Sequence, residues 1–417
     1  MKHILSCILC FAMLCGCSSS NSDKASDASN KLVLACWQKT PEIVALVEMY
    51  NNTDPVHPIV IKEYYNPDID VDEALRQMDA ALIAGERADL YCFGSLDLQR
   101  LVNGGFIADL MPYVESDSDF NDENYYMNIL NLFRQGGKLY EMPCFFQLAG
   151  IRLPGSIVPD GMTGWTIQEY IDFDTALKEE DETLLAAKPQ LILEFMAQYS
   201  IDAFMAADRS NCDFENEQFY ALLNFVKKYA GGNGGTSVGM ASWVMGIRVY
   251  IEDIEELGAQ PKYVGYPDAE RNGPCAMSLV SYGISSTTLY PDECWDFIKV
   301  TLSDEAYWEA GISEAFPLSK SALNEGIRAF SLSTGDEGSP LYGLTDMNGN
   351  YYIPLKEEYV PYIDELLNSA THARFRYSSV FSIIREEGEA FLEDDKTAEE
   401  TARLIQNRVS TYLSEQQ

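Results

Sequence analysis

Short apolar runs alternate with amphipathic segments along the first hundred residues. Residues 31–37 and 59–61 are predominantly apolar runs, which predict buried strands. Between them, a Thr-Pro-Glu sequence that begins at Thr40 is typical of a helix start, and apolar residues then recur at helical spacing as far as Tyr50. Two strands joined by one helix in this way are parallel. The pattern therefore predicts a β-α-β unit.

The same alternation continues downstream. A second helix is predicted between residues 70 and 85, and residues 88–93 form a third strand. Alternation of this kind predicts an α/β fold, in which helices cover a parallel sheet and ligands bind beyond the carboxyl ends of the strands. Trp37, Tyr64 and Phe93 lie at such ends. Further predicted elements are helices at 189–208, 217–229, 292–302 and from 397 onward, a strand at 279–284 and a hairpin turn at 346–350.

The balance of charges narrows the range of partners. The 417 residues include 65 Asp and Glu against 29 Lys and Arg, which gives a formal net charge of −36. Phosphate backbones and anionic lipid surfaces repel a chain this acidic, so nucleic-acid binding is excluded. Because 47% of the residues are hydrophobic, the chain can bury large cores, and its length is that of two or three domains.

The N-terminus has the pattern of an export signal. Residues 4–15 are apolar, which is shorter than the ~20 residues that a membrane-spanning helix needs. A Leu-Cys-Gly-Cys sequence that ends at Cys17 resembles the bacterial lipobox, whose cysteine receives a diacylglyceryl group. We therefore expect residues 1–16 to be removed as a signal peptide, Cys17 to carry lipid and residues 17–30 to form a flexible tether. The alternative is an ordinary secretory signal with a chance cysteine.

The cysteines and histidines do not suggest a metal site. Six cysteines remain after such processing, and none belongs to a Cys-x-x-Cys pair. In an exported chain, these six cysteines could form three disulfides or remain six thiols. The apolar runs around Cys36 and Cys92 favour buried thiols. His57 and His372 have no neighbour at metal-ligand spacing, so we expect no metal and no cofactor.

Catalytic motifs are incomplete in the sequence. One Gly-x-Ser-x-Gly sequence occurs, at residues 235–239, but a Ser-His-Asp arrangement also needs a histidine, and only His57 and His372 remain after processing to supply one. The glycine cluster at 231–235 lacks the Gly-Lys-Ser/Thr ending of a phosphate-binding loop. Two runs that start like calcium loops, at 68–72 and 346–350, lack glycine at the sixth position. We therefore expect no enzyme, although the many acids leave open a carboxylate pair for glycoside hydrolysis.

Several segments, in order along the chain, resemble the extracellular solute-binding proteins of bacterial ABC importers, in the large sugar-binding cluster called family 1. Residues 137–143, Gly-Lys-Leu-Tyr-Glu-Met-Pro, match the family's Gly-Lys-x-Tyr-x-x-Pro stretch. Residues 82–90 resemble its Ala-Gly-x-x-Pro-Asp signature, with Ala88 in place of the usual proline. The other segments that carry the resemblance are 103–110, 164–166, 293–299 and 397–413.

The resemblance implies two α/β lobes joined by a hinge, a periplasmic-binding-protein-like fold with an interlobe ligand cleft. A single continuous sheet is not expected. The expected lobes are residues 31–146 plus 272–318 and residues 147–271 plus 319–417, with crossings near 145–150, 268–275 and 315–322.

Candidate ligand-binding residues follow from the same resemblance. Matching positions along the chain assigns Phe93, Asp97, Gln147, Trp243 and Phe381 to the site. The position at strand ends adds Trp37 and Tyr266. Trp37 and Trp243 are expected to face each other across the cleft and to hold a sugar-like ligand between their rings. For each aromatic residue, the alternative is packing in a core.

The resulting hypothesis is a lipid-anchored solute-binding protein on the extracytoplasmic face of the cell membrane. It would capture a small solute, a carbohydrate by resemblance, and deliver it as a monomer to the permease subunits of an ABC importer. Two other classes stay open: a surface glycoside hydrolase, which shares the anchor and the aromatic residues, and a sensory or interaction lipoprotein, which needs no closed cleft.

The lipobox generates the first prediction. Cys17→Ser removes the atom that accepts the lipid, and we expect the variant to leave the membrane pellet for the soluble fraction, because two acyl chains are what hold such a protein stably. Fractionation of expressing cells measures this, with Cys15→Ser as the matched control that stays in the pellet. A Cys17→Ser protein that sediments like the wild type contradicts the anchor.

Overall fold

The computed structural model describes residues 30–65, 68–69, 73, 77–78, 80–81, 84, 86, 88–93, 98–178, 182–185, 187–206, 210–229, 236–310, 315–333, 335–343, 351–373 and 378–415. Some features predicted from the sequence lie outside these residues. They are the signal peptide, Cys17, nearly all of the tether, Asp97, the glycine cluster at 231–235, the turn at 346–350 and most of the helix between 70 and 85.

The described residues form a mixed α/β fold. Its strands are β1 (Leu32–Cys36), β2 (Ile59–Glu63), β3 (Leu90–Cys92), β4 (Met142–Pro154), β5 (Glu182–Thr183), β6 (Thr236–Ser237), β7 (Met240–Val244), β8 (Pro261–Val264), β9 (Cys275–Ile284), β10 (Phe316–Pro317) and β11 (His372–Ala373). Its α-helices are α1 (Pro41–Asn52), α2 (Leu98–Asn103), α3 (Met111–Ser116), α4 (Met127–Leu132), α5 (Ile167–Lys178), α6 (Pro189–Tyr199), α7 (Glu217–Tyr229), α8 (Ile247–Leu257), α9 (Pro291–Thr301), α10 (Asp304–Glu309), α11 (Lys320–Phe330), α12 (Val360–Ser369), α13 (Ser378–Leu392) and α14 (Ala398–Glu415).

The predicted β-α-β unit is confirmed at the start of the fold. Thr40 caps α1 by accepting a hydrogen bond from the backbone N–H of Ile43, and Pro41 occupies the first turn. The strands on either side of this helix, β1 and β2, are parallel, and β3 pairs in parallel with the other edge of β1. The carboxyl ends of the three strands therefore meet at one edge of the sheet.

Two long strands join the two halves of the molecule. β4 has 13 residues and β9 has 10, and they pair antiparallel from Met142 opposite Tyr282 to Ala149 opposite Cys275. One end of β9 pairs with β3, and the far end of β4 pairs with β7 and β8. The expectation that no continuous sheet would form is therefore wrong, because hydrogen bonds run without a break in the order β10-β4-β9-β3-β1-β2.

The two faces of this sheet pack in different hydrophobic cores. Leu34 in β1 and Leu148 in β4 belong to the first core, whereas their neighbours Ala35 and Ala149 belong to the third and second cores. We call the face that carries Ala35 and Ala149 the front face, and the opposite face the back face. Ala276, Tyr282 and Ile284 of β9 all pack in the first core on the back face, and between them the pairing of β9 with β4 shifts register, opposite Pro143, Phe145 and Phe146.

The front face therefore carries two separate cores. The second core covers the end where β4 meets β7 and β8, and it uses buried residues of α5, α6, α7, α13 and α14. The third core is smaller and covers the end where β1 meets β3. The first core lies behind both and draws on residues from 32 to 370, so it includes segments predicted for either lobe. The division of the lobes at particular residues stays a prediction.

A buried ion pair holds α8 against the back face. Arg152 of β4 is 4% exposed, and its Nη1 lies 2.5 Å from Oδ1 of Asp253 and 2.8 Å from Oε2 of Glu256, both on α8. The hydroxyl of Tyr263 in β8 donates a second hydrogen bond to Asp253, at 2.6 Å. Asp253 is thus satisfied only while Arg152 and Tyr263 stay in place.

This pair generates a prediction on stability. Arg152→Met should lower the free energy of unfolding by about 3–5 kcal/mol, because it leaves the buried carboxylate of Asp253 without its cation. Urea unfolding followed by circular dichroism measures the loss.

Two further variants serve as controls for this effect. Arg328→Met breaks the exposed pair with Glu325 and should cost less than about 1 kcal/mol. The double change Arg152→Met with Asp253→Leu should recover most of the loss, because no charge is left buried. A single Arg152→Met change that costs no more than Arg328→Met contradicts the assignment.

Candidate functional site

The middle of the front face lies between its two separate cores. Residues 278–280 in the centre of β9 are half-buried, and Leu279 and Val280 among them pack against the first core. The second core lies to one side of this stretch and the third core to the other. We call this region the cleft, and we call the front-face residues Gln147, Met277 and Ser281, together with Glu141 before β4, the cleft floor.

Aromatic residues at the carboxyl ends of β1 and β2 form one side of the cleft. Trp37 and Tyr64 are half-buried against the third core, as is Tyr140, which precedes β4. Tyr65 packs edge-on against Trp37, with ring centroids 5.7 Å apart, and its backbone N–H donates to the Trp37 carbonyl at 2.6 Å. The strand-end argument from the sequence therefore located Trp37 and Tyr64 on this side, and it missed Tyr65 and Tyr140.

Phe93 occupies a different environment from Trp37. It is 5% exposed and belongs to the third core. Its ring lies over Gly283, where a Cβ atom would approach Phe93 Cε2 to 2.7 Å and the Tyr140 carbonyl oxygen to 2.8 Å. Glycine at this position of β9 therefore makes room for the ring. Phe93 thus packs as a core residue.

A second aromatic group forms the other side of the cleft. Trp243 in β7 pairs with Ala149, which places it on the front face, and it is 45% exposed. Its indole Nε1–H donates to the hydroxyl of Tyr199 at the end of α6, and Phe195, one helical turn earlier, packs edge-on against it with centroids 6.1 Å apart. Tyr199 in turn stacks on Tyr266 at 4.4 Å.

The rings of this aromatic group differ in exposure, and the difference distinguishes the ring that can contact a ligand from the rings that only support it. Trp243 presents an open face, whereas Tyr199 and Tyr266 are buried in the second core beneath it. Phe195 and Tyr199 were not candidates from the sequence, although their spacing of four residues puts them on one face of α6. Phe381, which was a candidate, lies in α13 and is half-buried against the same core.

Gln147 is a polar side chain of the cleft floor. It lies in β4 opposite Met277, it is 8% exposed, and its amide nitrogen is 3.9 Å from the Met277 sulfur. A thioether is a weak acceptor, so this amide retains most of its capacity to bind a hydroxyl group.

The strand register gives the separation of the two indole side chains. Trp37 follows Cys36, which pairs with Cys92, and Phe93 bonds Ser281 of β9. Trp243 is linked through Ala149 to Cys275 at the other end of β9. On a flat sheet these offsets amount to about 20 Å along the strands and about 19 Å across them. The register thus puts the two residues at opposite ends of the cleft floor, and the expectation that they face each other and hold a sugar-like ligand between them stays a prediction.

The described residues contain no group of three His, Cys, Asp or Glu that could hold a metal ion. None of the six cysteines in the described part of the chain forms a disulfide, and among them only Cys212 is partly exposed. Burial raises the pKa of the Cys36 and Cys144 thiols to about 12, so both stay neutral at physiological pH. The sequence preference for buried thiols over disulfides therefore agrees with the structure. No helix within the described ranges is long and apolar enough to cross a membrane.

Comparison with known proteins identifies the fold. No protein-family model and no curated protein sequence matches the chain. Among solved structures, the sugar-binding protein MalE from Xanthomonas citri is similar at a TM-score of 0.56 and 14% identity, covering 92% of this chain and 98% of that one. An extracellular solute-binding protein of family 1 from Alicyclobacillus acidocaldarius is similar at a TM-score of 0.55 and 12% identity, with the same coverage.

An ABC substrate-binding protein from Listeria monocytogenes, solved in complex with cycloalternan, has a TM-score of 0.53 and 12% identity, covering 92% of this chain and 98% of that one. The chain thus has the two-lobed fold of periplasmic binding proteins, as the motifs of the sequence predicted. At these identities the likeness concerns the fold alone.

The environments of the cysteines generate a prediction. In a protein that starts at residue 18, Ellman's reagent should modify about one thiol quickly, at Cys212, and the other five only after unfolding in urea. Burial also raises the pKa of Cys212, so the rate should rise with pH through the weakly alkaline range. Cys212→Ser is the control, and a fast reaction that survives this change contradicts the assignment.

Proposed function

We propose that the protein is the solute-binding component of an ABC importer and that it binds a carbohydrate in the cleft. The observation that carries this proposal is the pair of partly exposed indoles, Trp37 and Trp243, on one face of the sheet, each beside one of its two separate front-face cores. The fold supports the proposal, because the solved structures that share it include sugar-binding proteins.

The chemistry of the cleft suits a neutral polyhydroxylated ligand. An indole presents a large flat apolar surface, which complements the C–H face of a sugar ring, and it loses little conformational entropy when it binds. The amide of Gln147 can both donate to and accept from hydroxyl groups. None of the side chains named above as lining the cleft is a cation, which disfavours an anionic solute.

The separation of the two indoles favours an extended ligand. One pyranose ring is much shorter than the about 20 Å that lie between the two positions along the strands. Trp37 and Trp243 then serve different units of one oligosaccharide, and closure of the lobes shortens the distance between them. Three proteins of similar structure are an ABC substrate-binding protein in complex with cycloalternan, a maltose-maltodextrin binding protein and a receptor in complex with acarbose. Their ligands are all oligosaccharides or analogues of them.

Capture and delivery complete the proposal. Cys17 anchors the chain by lipid to the extracytoplasmic face of the membrane, and residues 17–30 let the lobes reach the permease subunits of the importer. The protein is a monomer and uses no cofactor. A glycoside hydrolase is less well supported, because it needs two carboxyl groups about 5–9.5 Å apart in the cleft, and the cleft floor holds one, the buried Glu141.

Substitution of the two indoles tests the proposal. A thermal-shift screen of mono- and oligosaccharides selects a ligand, since a ligand at 100 times its Kd adds about 2.7 kcal/mol to stability. Trp37→Ala and Trp243→Ala should then each weaken binding by about 1–3 kcal/mol, the value of one large apolar contact, which is roughly 5- to 150-fold in Kd. Titration calorimetry measures the change.

Trp308→Ala is the matched control, because this indole is half-buried against the first core behind the sheet. It should bind the ligand as the wild type does. If the ligand is an extended oligosaccharide as proposed, both cleft variants should weaken the binding of a long oligosaccharide. Only one of them should weaken the binding of a monosaccharide. Wild-type affinity in both cleft variants contradicts the proposed site.

A further inference from the structure

Glu141 is a buried acid for which the proposed function has no direct use. It precedes β4 on the cleft floor and is 3% exposed. Its Oε2 lies 2.5 Å from the hydroxyl Oγ of Ser281, which is fully buried in β9. This contact joins the two long strands that connect the halves of the molecule, at a sequence separation of 140 residues.

The Ser281 hydroxyl has two acceptors within reach. Besides Glu141, the backbone carbonyl oxygen of Phe93 lies 3.4 Å from Oγ. A serine hydroxyl carries one hydrogen and donates to one acceptor at a time. If Glu141 is ionised, this hydrogen points to the carboxylate and the Phe93 carbonyl receives nothing from Ser281. If Glu141 is protonated, the carboxyl O–H donates to Oγ, and the Ser281 hydroxyl is free to donate to the Phe93 carbonyl.

We propose that Glu141, Ser281 and the Phe93 carbonyl form a proton-dependent relay in the cleft floor, in which uptake of one proton by Glu141 turns the Ser281 hydroxyl toward Phe93. Glu141 and Ser281 are therefore positioning residues. They act on Phe93, the residue after β3, whose ring belongs to the third core and lies over Gly283.

The surroundings of Glu141 allow the relay to work near neutral pH. Burial raises the pKa of Glu141 to about 7, and the hydrogen bond from Ser281 lowers it in part. In the described part of the chain, the titratable groups that interact electrostatically with Glu141 are the thiols of Cys92 in β3 and Cys144 in β4. Burial raises the pKa of both thiols far above neutrality, so they stay uncharged while Glu141 titrates.

The consequence for the cleft rests on the proposed function. A change in the hydrogen bonding of Phe93 alters the third core against which Trp37 packs, so ligand affinity should change with pH around neutrality. The relay itself is tested without a ligand, so failure of the relay and failure of the proposed function are distinguishable.

The sequence allows the Phe93 carbonyl to be observed alone. Phe93 and Gly94 are the one Phe-Gly pair in the chain, so protein labelled with carbonyl-13C Phe and 15N Gly shows a single linked resonance. In the wild type, the carbonyl shift should titrate near neutral pH, with the downfield, hydrogen-bonded value on the acid side. In Glu141→Gln, the amide N–H donates to Ser281 permanently, so the resonance should stay at the acid value across pH 5–9.

Ser281→Ala removes the hydroxyl of the relay, so the Phe93 carbonyl resonance should stay at the upfield value and should not titrate. The control is Glu48→Gln on the exposed face of α1, in which this resonance should titrate as in the wild type. A wild-type carbonyl that does not titrate between pH 5 and 9, or a Glu141→Gln carbonyl that titrates like the wild type, overturns the proposal.

A stability measurement keeps the test decisive if spectra of a variant are poor. The folded protein binds its proton at Glu141 more tightly than the unfolded chain does, so this group's contribution to stability is full below about pH 4.3 and is lost as the pH rises through about 7. The urea midpoint of Glu141→Gln, relative to that of the wild type, should therefore increase between pH 5 and pH 8. A difference between the two midpoints that is constant with pH overturns the proposal.

Discussion

The antiparallel pairing of β4 with β9 is the constraint on which the rest of the structure depends. Seven residue pairs, from Met142 with Tyr282 to Ala149 with Cys275, join segments more than a hundred positions apart in the sequence. Each strand is long enough to pair with further strands beyond the shared stretch. One sheet therefore serves both halves of the molecule, the first core can cover its back face from end to end, and the front face can hold two cores that do not meet.

The candidate site is a consequence of the separation between the two front-face cores. Side chains of the floor come from β4, β9 and the residue before β4, and the aromatic sides come from the elements that border it. All four floor residues are buried, and Met277 belongs to the second core. On one side the parallel strands end in Trp37 and Tyr64, as open α/β sheets place their ligand contacts. On the other, β7 presents Trp243, and Tyr199 holds the indole through its hydroxyl. The sheet thus sets the positions of the aromatic rings, and the cores beneath the rings hold them rigidly.

Two sets of buried charged groups among the described residues lie in or next to the crossing strands. Arg152 and Asp253 satisfy each other behind the sheet, where α8 packs against the outer half of β4. Glu141 has a hydroxyl partner instead of a cation, so its ionised form is disfavoured in the fold. The many other acids that are exposed keep the protein soluble and repel polyanions, and they add little to the fold itself.

The sequence by itself determined the features that depend on near neighbours in the chain. Helical periodicity and capping residues predicted α1, apolar runs predicted β1 to β3, and the ends of those runs located Trp37 and Tyr64. The order of the solute-binding-protein motifs along the chain was sufficient to predict the two-lobed fold. Only the tertiary structure decided which aromatic residues are exposed: Trp243 is open, whereas Phe93 and Tyr266 are buried. It also decided the continuity of the sheet, the support of Trp243 by Tyr199 and the contact of Glu141 with Ser281. These features depend on contacts between residues tens to hundreds of positions apart, and local propensity carries no information about which distant partners will meet.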